Sequence, residues 1–161
     1  MSAIDRALAA NRYFAETFEL PPRMPNPELA AVLCMDARID PIRTLGLHPG
    51  EGHIIRNAGG RLSDAIRSLA ISQTILGTRE VAIVHHTECG MMRYSDDEMR
   101  MMFRKATGAI ADGIAFLPFH DLEQSVRDDL ELYRQSTLLR QDIPVRGFIY
   151  DVETGRLTEV E

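Results

Sequence analysis

Cys34 and Cys89 are the only cysteines of the chain, and each has polar company at a fixed spacing. Cys34 ends the apolar run Ala30-Ala31-Val32-Leu33-Cys34-Met35, with Asp36 and Arg38 two and four residues on; Cys89 follows His86 as His-x-x-Cys. Two thiolates and one imidazole make a Cys2His set, which holds catalytic zinc and leaves the fourth tetrahedral position to water. Soft thiolates favour zinc over magnesium or calcium. If the backbone stays extended past Cys34, Asp36 and Arg38 point to the same side as the thiol, and the guanidinium can grip the carboxylate through two hydrogen bonds. Asp36 could then accept a hydrogen bond from a water on the zinc, or bind the zinc itself as a fourth ligand and close the site. Taken singly, each residue has a plainer reading: a buried core thiol, a packed strand-end histidine, a loop salt bridge.

These residues can meet only if the elements carrying them are neighbours. Open α/β sheets bind ligands beyond the carboxyl ends of their strands. Ala30–Met35 reads as a strand buried on both faces, and so does Glu80–His86, which puts Cys34 and His86 at carboxyl ends. Between them the pattern predicts a short helix at Pro41–Leu45 capped by Asp40, a strand at His53–Asn57, and a long helix capped by Ser63 or Asp64 and running to Leu76. After them come a helix opened by the capping box Ser95…Glu98 and running to Lys105, a loop over 108–120, and a helix from Asp121 to Leu138. Val145–Val152 and Arg156–Val160 read as strands joined by a tight turn. Met99, Met101 and Met102 read as gap-filling core or interface. The fold class is α/β: one domain over residues 1–161, with a central, mostly parallel sheet flanked by helices and an antiparallel hairpin at the C-terminal end. Residues 5–19 form an amphipathic helix carrying Leu8, Tyr13, Phe14 and Phe18. With the connector of Pro21, Pro22, Pro25 and Pro27, residues 1–27 make an arm expected to pack on a neighbour or to fold back on its own domain.

Composition narrows the function. The net charge is −6, almost all the positive charge is arginine, and no basic cluster occurs, so nucleic acid is not an expected partner. No apolar run has membrane-spanning length, and Met1–Arg6 lacks the basic and apolar regions of a secretion signal, so a cytoplasmic protein is expected. That compartment favours metal or catalytic use of the cysteines over a disulfide.

Cys34-Met35-Asp36-Ala37-Arg38, followed in order by His86-Thr87-Glu88-Cys89-Gly90, resembles the signature of the β-class carbonic anhydrases. Arg56-Asn57-Ala58-Gly59-Gly60 resembles that family's intervening segment, and Phe148–Val152 with its turn is similar too. The resemblance covers residues 28–160 and is nearest to the short microbial subgroup. It implies zinc on Cys34, His86 and Cys89, and Asp36 with Arg38 as the dyad that orients a metal-bound hydroxide for attack on carbon dioxide. It also implies bicarbonate as product and a homodimer, or a dimer-based higher oligomer, in which the N-terminal helix reaches the partner. Gly59, Gly60 and Gly90 are expected to line the substrate pocket, although the glycine pair could serve only close backbone approach.

Two departures bear on function. His48 stands where the larger plant-type members have a glutamine; it could relay protons but reads better as a surface residue. The chain has no tryptophan, so the inhibitory bicarbonate site that some bacterial members build around one is not expected. His85 should face away from His86 and act structurally. Relatives in the short subgroup hydrolyse carbonyl sulfide or carbon disulfide with the same ligands, and the motifs do not choose between substrates. A non-catalytic zinc- or bicarbonate-binding module would be expected to have lost Asp36 or Arg38. A nucleotide-binding domain is disfavoured because no Gly-x-Gly-x-x-Gly follows a strand.

Overall fold

The computed structural model describes residues 1–20 and 26–161, so the prolines expected at 21, 22 and 25 lie outside the described residues. Strands β1 (Leu29–Cys34), β2 (Gly52–Asn57), β3 (Glu80–His86), β4 (Val145–Tyr150) and β5 (Leu157–Val160) form one sheet in the order β2-β1-β3-β4-β5. The first four are parallel, and β5 runs antiparallel to β4. The chain leaves β1 on one side to make β2, then returns across β1 to make β3 on the other. That reversal opens a crevice at the carboxyl ends of β1 and β3, where α/β sheets bind ligands.

Helices α3 (Leu62–Thr74) and α5 (Leu122–Gln135) cover one face. Ala30 and Val32 of β1 and Val81 and Ile83 of β3 point to that side, into a core with Leu62, Leu69, Val126 and Leu130. The alternate residues Ala31, Leu33, Ala82 and Val84 point to the other face, as the two-residue period of a strand requires, and there they pack with Cys34 at the very end of β1, Cys89 and Phe119. The same period sends His85 toward α5 and His86 toward the crevice. The short helix α2 (Pro41–Leu45) has the expected Asp40 cap and ends at left-handed Gly46.

Helix boundaries differ from the sequence reading for identifiable reasons. Helix α1 runs Ala3–Glu16 rather than 5–19, because Ser2 and Asp5 form a capping box that starts it early. Helix α3 has no side-chain cap from Ser63 or Asp64. Instead its Leu62 N–H donates to Asp129 Oδ2 on α5 at 2.9 Å, so a residue distant in sequence supplies the cap. Helix α4 (Asp96–Thr107) has the Ser95–Glu98 box and stops at left-handed Gly108, while α5 stops at Gln135, three residues short of the expected end. Met99 is buried, but Met101 and Met102 are exposed, so only the first fills the core.

Helix α1 buries no residue: its Leu8, Tyr13 and Phe14, and Phe18 just beyond it, are all exposed among the described residues. Among the described residues no helix is long and apolar enough to cross a membrane.

Candidate metal centre

Cys34 at the end of β1, His86 at the end of β3 and Cys89 in the turn after it converge in the crevice. Their ligand atoms lie within 4.8 Å of one another, and the two sulfurs are 4.0 Å apart. All three residues are buried, and both cysteines are free thiols. His86 Nδ1 lies 2.8 Å from the Thr87 carbonyl, which can only accept, so Nδ1 carries the proton and Nε2 presents a lone pair. That buried Nε2 has no hydrogen-bond partner among the described residues. A buried acceptor left bare is costly, and a cation beside it would remove the cost.

The sulfurs lead to the same conclusion. The Cys34 thiol is pulled down chiefly by its hydrogen bond with Cys89, helped by His86 and by the backbone N–H groups of Asp36 and Gly59, against the opposing effect of burial. The Cys89 thiol is pushed up by that same hydrogen bond with Cys34 and by burial. The pair therefore gives up one proton readily and holds the second, which a metal ion would replace. The donor set suits zinc, which takes thiolate sulfur and imidazole nitrogen in a tetrahedron.

Asp36 lies beside this cluster without belonging to it. Its Oδ1 accepts from Arg38 N–H at 2.9 Å and from Nε–H at 3.0 Å, and its Oδ2 accepts from the Arg38 Nη2 group at 2.8 Å. Those bonds hold the carboxyl well below the usual carboxylate range, the side-chain bonds most and the backbone bond next. The chain does not stay extended from Cys34 to Arg38, as the spacing had suggested: it turns, with Ile39 N–H donating to Asp36 C=O at 3.1 Å. The turn, not strand alternation, brings the guanidinium onto the carboxylate. Asp36 Oδ2 remains 3.9 Å from His86 Nε2. Arg56 fixes the turn from behind, donating to the carbonyls of Cys34 at 2.9 Å and Asp36 at 2.6 Å.

A cavity of about 350 Å³ opens over the cluster, walled by Met35, Asp36, Ala58, Gly59, Gly90 and Met91 among others. Gly60 is not in this wall. It is packed behind it with φ +69°, where a Cβ would come within 2.9 Å of Cys34 N and 3.0 Å of Val84 O. Its role is close approach of backbones, the alternative the sequence had left open. Gly59, with φ +79°, faces Met91 and Phe119, while a Cβ on Gly90 would meet nothing within 4 Å.

Comparison with known proteins agrees with this geometry. The carbonic anhydrase family profile matches residues 29–157, most of the chain. The chain belongs to the β-carbonic anhydrase family. It is 42% identical to beta-carbonic anhydrase 1 of Mycobacterium tuberculosis, over 99% of each chain. A crystal structure of carbonic anhydrase from Streptococcus mutans superposes with a TM-score of 0.94 at 41% identity, covering 100% of this chain and 99% of that one. The carbon disulfide hydrolase of Acidianus sp. is 33% identical over 82% of this chain and 76% of its own. As a β-carbonic anhydrase the chain is an enzyme of a family that is zinc-dependent in general, and its Cys-His-Cys cluster is the group such a site requires.

His85, His53 and His48 stay out of the crevice. His85 is fully buried, with Nδ1 2.7 Å from Ser125 Oγ and Nε2 3.1 Å from Asp129 Oδ2. His53 Nδ1 bonds Ser72 Oγ at 2.7 Å near the opposite ends of the strands, and His48 is exposed. Sequence reasoning missed Thr87 as the group that orients His86, and Arg56 as the clamp on the Cys34–Asp36 turn. It also missed Glu88, whose carboxylate bonds Arg38. Arg56 and Glu88 lie inside the quoted motifs, but their roles depend on contacts with residues 20 to 50 positions away, which spacing does not reveal.

Proposed function

We propose that the chain catalyses reversible hydration of carbon dioxide to bicarbonate and a proton, at a zinc ion held by Cys34, His86 and Cys89. The observation that carries this reading is the bare, buried His86 Nε2 facing two thiols within 4.8 Å, beside a carboxylate already committed to Arg38. Zinc, when bound, supplies a Lewis acid that brings the pKa of a water toward about 7. Asp36, kept ionised by Arg38, can only accept at its free lone pairs, so it takes a hydrogen bond from a donor in the crevice and orients that donor without itself being protonated. Thr87 C=O fixes the His86 ring. The apolar wall of Met35, Ala58 and Met91 suits a small, linear, uncharged substrate and excludes excess water, and Gly59 and Gly90 keep the space over the cluster free. Arg38, clasped to Asp36, prevents that carboxylate from closing the site as a fourth ligand.

A second reading, carbonyl sulfide or carbon disulfide hydrolysis, is favoured by the relatedness to the Acidianus hydrolase and by the same apolar wall. It uses one attack on a linear heterocumulene in place of another. Carbon dioxide hydration and carbon disulfide hydrolysis measured on one zinc-loaded sample separate them: hydration should dominate. Disulfide hydrolysis without detectable hydration would replace the first reading with the second. A non-catalytic module leaves the Asp36–Arg38 clasp without a purpose.

The working unit is a homodimer, or an assembly of dimers, in a reducing compartment such as the cytoplasm, where free thiols persist. The support is the N-terminal segment, where Leu8 and Phe14 of α1 and Phe18 just beyond it stay exposed among the described residues. Sedimentation should give a mass of at least twice the 18.1 kDa chain, and deletion of residues 1–20 should weaken association. A monomer at micromolar concentration would refute this.

A further inference from the structure

Arg38 does more than hold Asp36. Its guanidinium is bonded on two sides: Nε and Nη2 face Asp36, while Nη1 donates to Glu88 Oε2 at 2.8 Å and Nη2 to Glu88 C=O at 3.3 Å. Glu88 lies between His86 and Cys89 in the ligand turn, and Asp36 lies in the turn after Cys34. One guanidinium therefore ties together the two segments that carry the ligands. Glu88 also has φ +56°, a left-handed conformation that is uncommon for a residue with a Cβ and favours glycine. A residue kept in that conformation while its carboxylate reaches a residue fifty positions away needs a reason beyond the turn itself.

We propose that Glu88 is a positioning residue for the reaction: it anchors the outer side of the Arg38 guanidinium, so that the inner side stays square on Asp36 and the carboxylate stays off the metal. This rests on the proposed zinc site. Without the carboxylate, Nη1 loses its 2.8 Å partner and only the longer 3.3 Å bond to the Glu88 carbonyl remains on that side, so Arg38 swings more readily into solvent, where nearly half of its side chain is already exposed. Asp36, 3.9 Å from His86 Nε2, then turns toward the ligand cluster. The ion pair is exposed on both sides and contributes little to stability, so the effect belongs to the geometry of the site and not to the fold.

Two variants separate this role from a turn-building one. Glu88→Gly suits the left-handed backbone better than glutamate does, yet removes the carboxylate. Glu88→Gln keeps an acceptor at the same reach. Zinc-loaded wild type, E88G and E88Q are compared for metal content, melting temperature, kcat for carbon dioxide hydration and the crystallographic position of Asp36. The expected result is full zinc and an unchanged melting temperature in all three. In E88G kcat should fall by about three- to sixfold, the size an exposed ion pair can exert, with the Asp36 carboxylate rotated toward the metal. E88Q should recover to within about twofold. Wild-type kcat in E88G with Asp36 still clasped would overturn the proposal, and so would a loss of activity that simply follows loss of zinc in both variants. If the wild type itself fails to hydrate carbon dioxide, the functional reading fails, but the position of Asp36 in E88G still decides the role of Glu88.

Discussion

Asp36→Ala is expected to lower carbon dioxide hydration by about two to three orders of magnitude, the range for losing one preorganised hydrogen-bonding group at a reaction centre, while zinc content stays at the wild-type level. The expectation follows from where the carboxylate is and what it does not touch. It is outside the cluster of three ligand atoms, so its removal takes away no ligand. Its oxygens are oriented by three bonds from Arg38, at 2.8 to 3.0 Å, and its remaining lone pairs face the crevice. Arg38 holds it ionised far into acid. Its contribution is therefore present above the ordinary carboxylate range and lost only as pH falls below it, so activity that fades at milder acidity reflects another group. Arg38→Ala should act differently: Asp36 loses its clasp and moves onto the metal. Hydration rates by stopped flow, with metal analysis of the same samples, check the first variant. Full activity in Asp36→Ala would remove the dyad from the mechanism.

Asp129→Ala is expected to destabilise the fold by about 3–5 kcal/mol, the cost of leaving a buried charge without its partner. Asp129 is 1% exposed and serves three elements at once. It accepts from Leu62 N–H at the start of α3, pairs with Arg61 Nη2 at 3.0 Å, and accepts from His85 Nε2 on β3 at 3.1 Å. Alanine would leave a guanidinium, an imidazole and a helix N–H buried and unsatisfied together. For a chain of this length the melting temperature should fall by roughly 10 °C. Asp129→Asn, which keeps an acceptor but loses the charge, should fall between. A melting temperature for Asp129→Ala within about 2 °C of wild type would show that the network relaxes without cost.

How legible the molecule was in its sequence depended on the range of the interactions. Strands β1 and β3 were plain because both faces are buried, which leaves continuous apolar runs at 30–34 and 81–84. The Ser95–Glu98 box and the Asp40 cap were plain because their bonds close within three residues. The start of α3 was misread because its cap is Asp129, sixty-seven residues away, and nothing local announces it. The convergence of Cys34, His86 and Cys89 was legible because both cysteines and His86 end buried strands or follow one closely. The Asp36–Arg38 clasp was anticipated, but for the wrong backbone: the side chains meet across a turn, not along a strand. Gly60 shows the same limit. Its sequence neighbours gave two alternatives, and only the packing of β1 against β3 decides between them. Glu88 was invisible as a partner, since an acidic residue in a turn is ordinarily a solvated one.

Zinc content and carbon dioxide hydration, followed together on one preparation through chelation and zinc readdition, test the central claim most directly. The account predicts about one zinc per chain, with activity that disappears as the metal is withdrawn and returns when zinc is restored, and a Cys89→Ser variant defective in both. Hydration that persists in fully metal-free protein, or a Cys89→Ser variant that keeps its zinc and its rate, would contradict it.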